Sequence, residues 1–292
     1  MKVLCDIDEL REWREGIGFD VHRVGFVPTM GNLHAGHLAL VEHARLRAEV
    51  VIVSIFVNPL QFEDGDDLAR YPRTEERDLE KLQRAGVTAV FLPTETVLYP
   101  RGQGDIVRVD AGRLGERLEG AARPGHFTGV ATVVTKLFNL VRPDIAVFGE
   151  KDAQQVAVIR RLISDLDFPV ELAIEPTHRE ADGLASSSRN RFLDPAQRQQ
   201  APAVHQALKC AAESLLAGQP VGSTLVSGRH WLERQGFEVD YLAYVDDLDF
   251  EEQTQLVTHG RLLVAARLAK VRLIDNLVVH SPSPPASESR ER

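Results

Sequence analysis

Pro28-Thr29-Met30-Gly31-Asn32-Leu33-His34-Ala35-Gly36-His37 follows a short apolar run, Val24–Val27, and precedes an amphipathic stretch that carries Leu38, Val41 and Ala48. That order reads as strand, turn and helix. At such a junction the first N–H groups of the helix have no partner within it and can hold an anion. Gly36 lets the anion approach the backbone closely. His34 and His37, three apart around that glycine, add imidazoles that can donate to phosphate oxygens and carry charge near neutral pH. The stretch predicts a triphosphate site at the end of a parallel strand.

Four further runs have the same β-branched character: Val50–Phe56, Val87–Leu92, Ile145–Phe148 and Val170–Ile174. Continuous apolar runs fit strands buried on both faces. Helical patterns over Thr74–Ala85 (closed by Gly86), Thr128–Val141 and Asp152–Leu166 alternate with them. The alternation predicts an α/β fold, a Rossmann-like doubly wound parallel sheet whose ligands collect at the carboxyl ends of the strands. Three polar clusters fall at such ends: Pro28–His37, Asn58–Phe62 and Gly149–Asp152.

After Pro176 the pattern changes. Ser186–Asn190 reads as a polar turn and Pro195–Leu216 as one Ala-rich helix. Val239–Val245, Arg261–Ala266 and Val271–Val278 read as antiparallel strands. The expected division is 1–176, a nucleotide- and acid-binding domain; 177–280, a small α+β lid domain; and 281–292, a Ser-, Pro- and charge-rich tail expected to be disordered.

Composition narrows the function classes. The chain of 292 residues is 43% apolar and 26% charged, the profile of a soluble globular protein. A net charge of −9 argues against nucleic-acid binding, which needs many cationic side chains. Val50–Val57 is far too short to span a bilayer, and Met1–Trp13 lacks the apolar core of a secretory leader. Cys5 and Cys210 form no CxxC pair and suit a reducing compartment. A cytoplasmic location with no membrane partner is the expectation.

The usual phosphate loops, GxxxxGK[ST] and GxGxxG, are absent, which disfavours P-loop and standard dinucleotide proteins. Ser186-Ser187-Ser188-Arg189-Asn190 places hydroxyl donors beside a forked guanidinium, a phosphate-binding set that alone would be a solvated loop. In Gly149-Glu150-Lys151-Asp152, Asp152 is suited to cap the following helix and Lys151 to meet phosphate. Gln61, and Gln155 in the first turn of that helix, are two amides able to bind the hydroxyls and carboxylate of a small acid.

The decapeptide resembles the HIGH-type signature of the nucleotidylyltransferase superfamily. More widely, VPTMGNLHAGH at 27–37, SIFVNPLQF at 54–62, LARYPRT at 68–74, LEGAARPGHFTGVATVV at 118–134, RPDIAVFGEKDAQQ at 142–155, DGLASSSRNRFL at 182–193 and RLIDN at 272–276 resemble the pantoate–β-alanine ligase family, in the family's order. That resemblance implies an ATP-dependent, AMP-forming condensation of (R)-pantoate with β-alanine through an acyl adenylate. It implies catalytic roles for His34, His37, Lys151 and Arg189, with His37 the proton donor. Binding of ATP is implied for Met30, Gly31, Asn32, Leu33, His34, Ala35, Gly36, His37, Gly149, Glu150, Lys151, Asp152, His178, Ser186, Ser187, Ser188 and Arg189. Pantoate is expected at Pro28, Met30, Phe56, Asn58, Gln61 and Gln155, and β-alanine at Gln61.

The resemblance further implies Mg²⁺ accompanying ATP, with Asp78 as a protein-side contributor, and a homodimer. Ser186 and His178 depart from the family's apolar residues on the expected adenine side. Two other readings start from the same motifs. A related nucleotidylyltransferase would act on a phosphate acceptor and show no amine dependence, and a non-catalytic nucleotide sensor would survive loss of His37.

Overall fold

The computed structural model describes residues 1–18, 21–62 and 65–280; the tail expected at 281–292 lies outside them. The chain divides into two compact units, Met1–Glu180 with Ala185–Asn190, and Ala181–Leu184 with Arg191 onward.

The first unit is built on a six-stranded sheet: β1 (Lys2–Leu4), β2 (Val24–Thr29), β3 (Val50–Ile55), β4 (Ala89–Phe91), β5 (Ile145–Gly149) and β6 (Glu171–Glu175), in the order β1-β4-β3-β2-β5-β6. All five pairings are parallel. The five expected strands are present with ends moved by a residue or two. The edge strand β1 was not expected, because three residues containing a lysine carry no periodic signal.

Helices cover both faces, as buried β-branched strands require. On one, Leu40, Val41 and Ala44 of the helix Ala35–Arg45 and Leu82 of the helix Glu75–Arg84 pack with Val27, Val51, Val53, Val90 and Val147. On the other, Phe138 of the helix His126–Val141 meets Phe26 edge-on, ring centroids 6.4 Å apart. Each such buried valine, leucine or phenylalanine contributes roughly 1.5–3 kcal/mol relative to exposure. Gly86 ends the helix Glu75–Arg84 in the left-handed region, at φ +74°, as its glycine suggested.

Strand order reverses between β2 and β5. From β2 the chain proceeds outward through β3 and β4, then returns to place β5 and β6 on the other side. Only Gly25 and Phe26 of β2 pair with β5, opposite Ile145 and Ala146. Beyond them Pro28 has no N–H to offer β5, and the two carboxyl ends border an opening. A reversal point of this kind is where α/β sheets bind ligands.

The second unit holds the antiparallel sheet β7 (Glu238–Asp246), β8 (Gly260–Leu268) and β9 (Val271–Val278), with β8 central. Val204, Leu208 and Leu215 share its core with Tyr244, Leu262 and Val264. The single helix expected over Pro195–Leu216 is two, Pro195–Gln200 and Ala203–Leu216. Pro202 causes the break: it has no N–H for the i−4 carbonyl, and its ring crowds that carbonyl.

Candidate active site

A crevice opens at the β2/β5 reversal, lined by Pro28, Thr29 and Met30 from the end of β2, Phe148 and Gly149 from β5, and Glu175 from β6. His34, Gly36, His37, Phe56, Asn58, Gln61, Lys151, Asp152, Gln155, His178 and Ser186–Arg189 complete it. Stretches far apart in sequence therefore converge, most of them directly after a parallel strand of one sheet, and Ser186–Arg189 after the antiparallel bridge Arg179–Ala185.

The histidines are held by the helix they introduce. His34 is the N-cap of Ala35–Arg45, and its Nδ1 accepts from the Gly36 N–H at 3.2 Å. His37 reaches back, its Nδ1 accepting from the His34 N–H at 3.3 Å. This is a capping box in which imidazoles take the places usually held by Ser and Glu. An Nδ1 that accepts a proton bond leaves the ring proton on Nε2. Both rings thus keep an Nε2–H donor, and their centroids lie 4.1 Å apart.

Neither ring carries charge near neutrality, contrary to the sequence expectation. Burial pushes the His34 pKa down to about 4, with Lys151 and His178 adding to the effect. Burial likewise pushes His37 down to about 3, with His34 adding. A desolvated ring beside a second ring and a lysine disfavours its cation.

Lys151 Nζ lies 3.5 Å from Asp152 Oδ1. Asp152 occupies the N-cap position of the helix Ala153–Asp165, yet its side chain makes no capping bond, so the expected cap is not formed. Burial opposes ionisation of Asp152, but Lys151 and Arg189 outweigh it and hold the pKa below the usual range. The Arg189 N–H donates to Ser187 Oγ at 3.3 Å in the turn Ser188–Phe192. The two residues that depart from the family pattern meet each other: His178 Nδ1 is 2.9 Å from Ser186 Oγ, and the Ser186 N–H donates to the His178 carbonyl at 2.9 Å.

On the other side of the crevice Asn58 is buried and satisfied within the protein. Its Nδ2 donates to Gln61 Oε1 at 2.9 Å and to the Gly129 carbonyl at 3.0 Å. With Oε1 so occupied, Gln61 has its Nε2 donors left for a ligand. Phe56 and Met30 supply apolar wall beside it.

Several expected site residues stand elsewhere. Asp78 is fully buried: its carboxylate accepts from the Asn32 N–H at 2.7 Å, the Leu33 N–H at 2.9 Å and Thr74 Oγ1 at 3.0 Å. It clamps the signature turn and does not line the crevice, which corrects its expected role at a metal. Gly31 (φ +78°) and Asn32 (φ +50°) form that turn, and Leu33 points into the core. Ala35 is exposed, and neither it nor Glu150 lines the crevice.

Other lining residues escaped the sequence reading. Arg123 Nη2 and His126 Nδ1 both meet the Gln61 carbonyl, at 3.0 and 3.1 Å. Burial, with Arg123, pushes the His126 pKa down to about 4. The segment 118–134 carries the family resemblance, but nothing in its spacing singles these two out. Tyr71, Thr177 and Val134 also line the crevice.

The arrangement offers two neutral imidazole donors and two cations for a polyphosphate, with amide donors and an apolar wall for a small acid; the His34 and Gly36 N–H groups at the helix start are taken by the imidazoles themselves. Comparison with known proteins identifies the family. A family model described as pantoate-beta-alanine ligase matches residues 2–278. A pantothenate synthetase of Chromohalobacter salexigens is 50% identical over 282 residues, 97% of this chain and 100% of that protein. The crystal structure of pantothenate synthetase from Thermus thermophilus superposes with a TM-score of 0.89 at 47% identity, covering 96% of this chain and 100% of that one. The pantoate-beta-alanine ligase of Francisella tularensis, crystallised with beta-gamma ATP and beta-alanine, gives 0.80 at 33% identity, covering 95% and 97%. By sequence over nearly its whole length and by fold, the chain belongs to the pantoate–β-alanine ligase family.

Proposed function

We propose that this protein condenses (R)-pantoate with β-alanine at the expense of ATP, through pantoyl adenylate. The observation that carries the reading is the convergence of His34, His37, Lys151 and Arg189 with Gln61 and Gln155 in one crevice. In the first step a pantoate carboxylate oxygen attacks the α-phosphorus of ATP and pyrophosphate leaves. In the second, the β-alanine amine attacks the acyl carbon, the acyl–oxygen bond breaks, and AMP leaves with the amine proton lost to solvent or base. A free carboxylate is a poor electrophile, and adenylation supplies the leaving group.

Charge builds on the phosphates as pyrophosphate departs, and fixed donors aimed at that charge are the main catalytic resource. In this reading the Nε2–H groups of His34 and His37 donate to phosphate oxygens, while Lys151 and Arg189 neutralise them, assisted by Ser187 and Ser188. Asp152 and Gly149 line the adenosine side. Gln61 and Gln155 hold pantoate by its oxygens, with Pro28, Met30 and Phe56 against its gem-dimethyl carbon, and Gln61 also places β-alanine.

Mg²⁺ accompanies ATP in this scheme. Among the described residues no three metal-ligating side chains cluster, which fits an ion carried by the nucleotide's phosphates rather than by a protein cage. No helix among the described residues is long and apolar enough to cross a membrane. The family resemblance extends the proposal to a cytoplasmic homodimer whose C-terminal unit acts as a lid that shields the adenylate from water.

Exchange of labelled pyrophosphate into ATP tests the first step without β-alanine. Exchange that requires pantoate is the expected result. Exchange in the absence of pantoate would instead indicate another nucleotidylyl acceptor, and no exchange at all would favour the sensor reading.

A further inference from the structure

Tyr99 stands behind the part of the crevice assigned to the acid, and nothing in the mechanism above uses it. It follows the short helix Glu95–Leu98 and is 1% exposed. Its hydroxyl lies 2.9 Å from Asn58 Oδ1. The direction of that bond is determined by the neighbours of Asn58. A carbonyl only accepts, so the atom facing the Gly129 carbonyl at 3.0 Å must be the amide nitrogen. The oxygen then faces the Leu60 N–H at 3.3 Å and the Tyr99 hydroxyl, and both donate to it. The second Nδ2 proton goes to Gln61 Oε1 at 2.9 Å. Burial, with Glu95 nearby, pushes the Tyr99 phenol pKa up, so the hydroxyl stays protonated and remains a donor.

The same side chain supports the apolar half of that region. Its ring meets Phe56 edge-on, centroids 5.9 Å apart. Phe56 and Gln61 both line the crevice. One buried tyrosine therefore backs the apolar wall by its ring and the amide donor by its hydroxyl.

We infer that Tyr99 is a positioning residue for acid recognition: through Asn58 it holds Gln61 with its Nε2 donors facing the substrate's oxygens. The inference rests on the proposed role of Gln61 at pantoate. Without the hydroxyl, Asn58 keeps its backbone partners but loses one of two donors on Oδ1, and Gln61 gains freedom to turn. One hydrogen bond of this kind is worth about a factor of ten in binding.

The test is Tyr99→Phe, which keeps the ring against Phe56, measured by pantoate-dependent pyrophosphate exchange. Wild-type exchange that depends on pantoate must be seen first, and its absence would indict the proposed function rather than Tyr99. The expected result is a KM for pantoate raised about tenfold with the KM for ATP unchanged within about twofold. In a Gln61→Ala background Tyr99→Phe adds nothing further. Incorporation of 3-fluorotyrosine at position 99, which keeps both ring and donor, retains the wild-type KM for pantoate and covers the case in which the phenylalanine variant does not fold. An unchanged pantoate KM in Tyr99→Phe, an equal rise in both KM values, a full effect persisting without Gln61, or a tenfold loss in the fluorotyrosine protein would each overturn the assignment.

Discussion

His34 and His37 perform two tasks with different atoms of the same rings. Nδ1 caps the helix and Nε2–H remains for the ligand, so the structural and the functional readings of the pair are both correct. Replacing His37 by Ala removes one of the two bonds of the capping box, worth about 0.5–1.5 kcal/mol, seen as a lower midpoint in denaturant unfolding. It also removes a transition-state donor, and adenylation measured by pyrophosphate exchange falls by about 10²–10³ while the fold persists. Normal exchange in that variant would remove the histidine from the mechanism. Charge follows a similar logic. His34, His37 and His126 take up protons only near pH 3–4 when folded, whereas an unfolded histidine does so near 6.5. The unfolded chain thus binds more protons between those values, and stability falls as pH is lowered from about 6.5 toward 4. Urea midpoints measured across that window check the sign. Bound triphosphate should raise the His34 and His37 values, since a nearby anion favours the cation; histidine titration by NMR with and without ATP reads this directly.

At the level of elements, the turn Gly31–Leu33 is held from a helix distant in sequence. Asp78 takes the N–H groups of Asn32 and Leu33, and Lys81 Nζ donates to the Leu33 carbonyl at 2.6 Å. Asp78→Ala leaves two backbone donors without acceptors, one buried and one half-buried, and costs about 2–4 kcal/mol in stability. Activity is lost through turn geometry, so added Mg²⁺ does not rescue it. Rescue by excess Mg²⁺ would restore Asp78 to a metal role. Gly129 shows a similar dependence on close approach. A Cβ there would stand 2.3 Å from the Leu60 carbonyl, so Gly129→Ala displaces the Asn58–Gln61 turn and weakens pantoate binding more than ATP binding. Local signals explain what could be read beforehand. Val50–Ile55 is a six-residue β-branched run buried throughout and was legible as a strand, whereas Lys2–Leu4 is a strand only because Ala89–Phe91 lies beside it. His34 and Lys151 were legible because unusual polar residues follow strands, and Arg189 because hydroxyl donors stand beside its guanidinium once the first motif is recognised. Arg123, His126 and the task of Asp78 were not, since each depends on which backbone groups the fold brings near. The neutrality of the histidines was hidden for the same reason, burial being a property of the tertiary structure.

Over the whole molecule, function follows from one topological event, the reversal of strand order between β2 and β5. There the strand ends border a crevice, and every segment that follows a strand can deliver a side chain to it. The proposed lid and dimer belong to this scale. Sedimentation should report a mass near twice the 32.4 kDa chain, and a monomer at micromolar concentration would rule out the dimer. Hydrogen exchange with and without ATP and pantoate should show slower exchange in segments of the C-terminal unit, and no change there would remove the lid. In the proposed reaction the crevice joins pantoate's own carboxylate oxygen to the α-phosphorus of ATP. Pantoate labelled with ¹⁸O in its carboxylate tests it in one turnover with β-alanine present. One ¹⁸O is expected in the phosphate of AMP. Label found in inorganic phosphate, or absent from AMP while pantothenate forms, would contradict it.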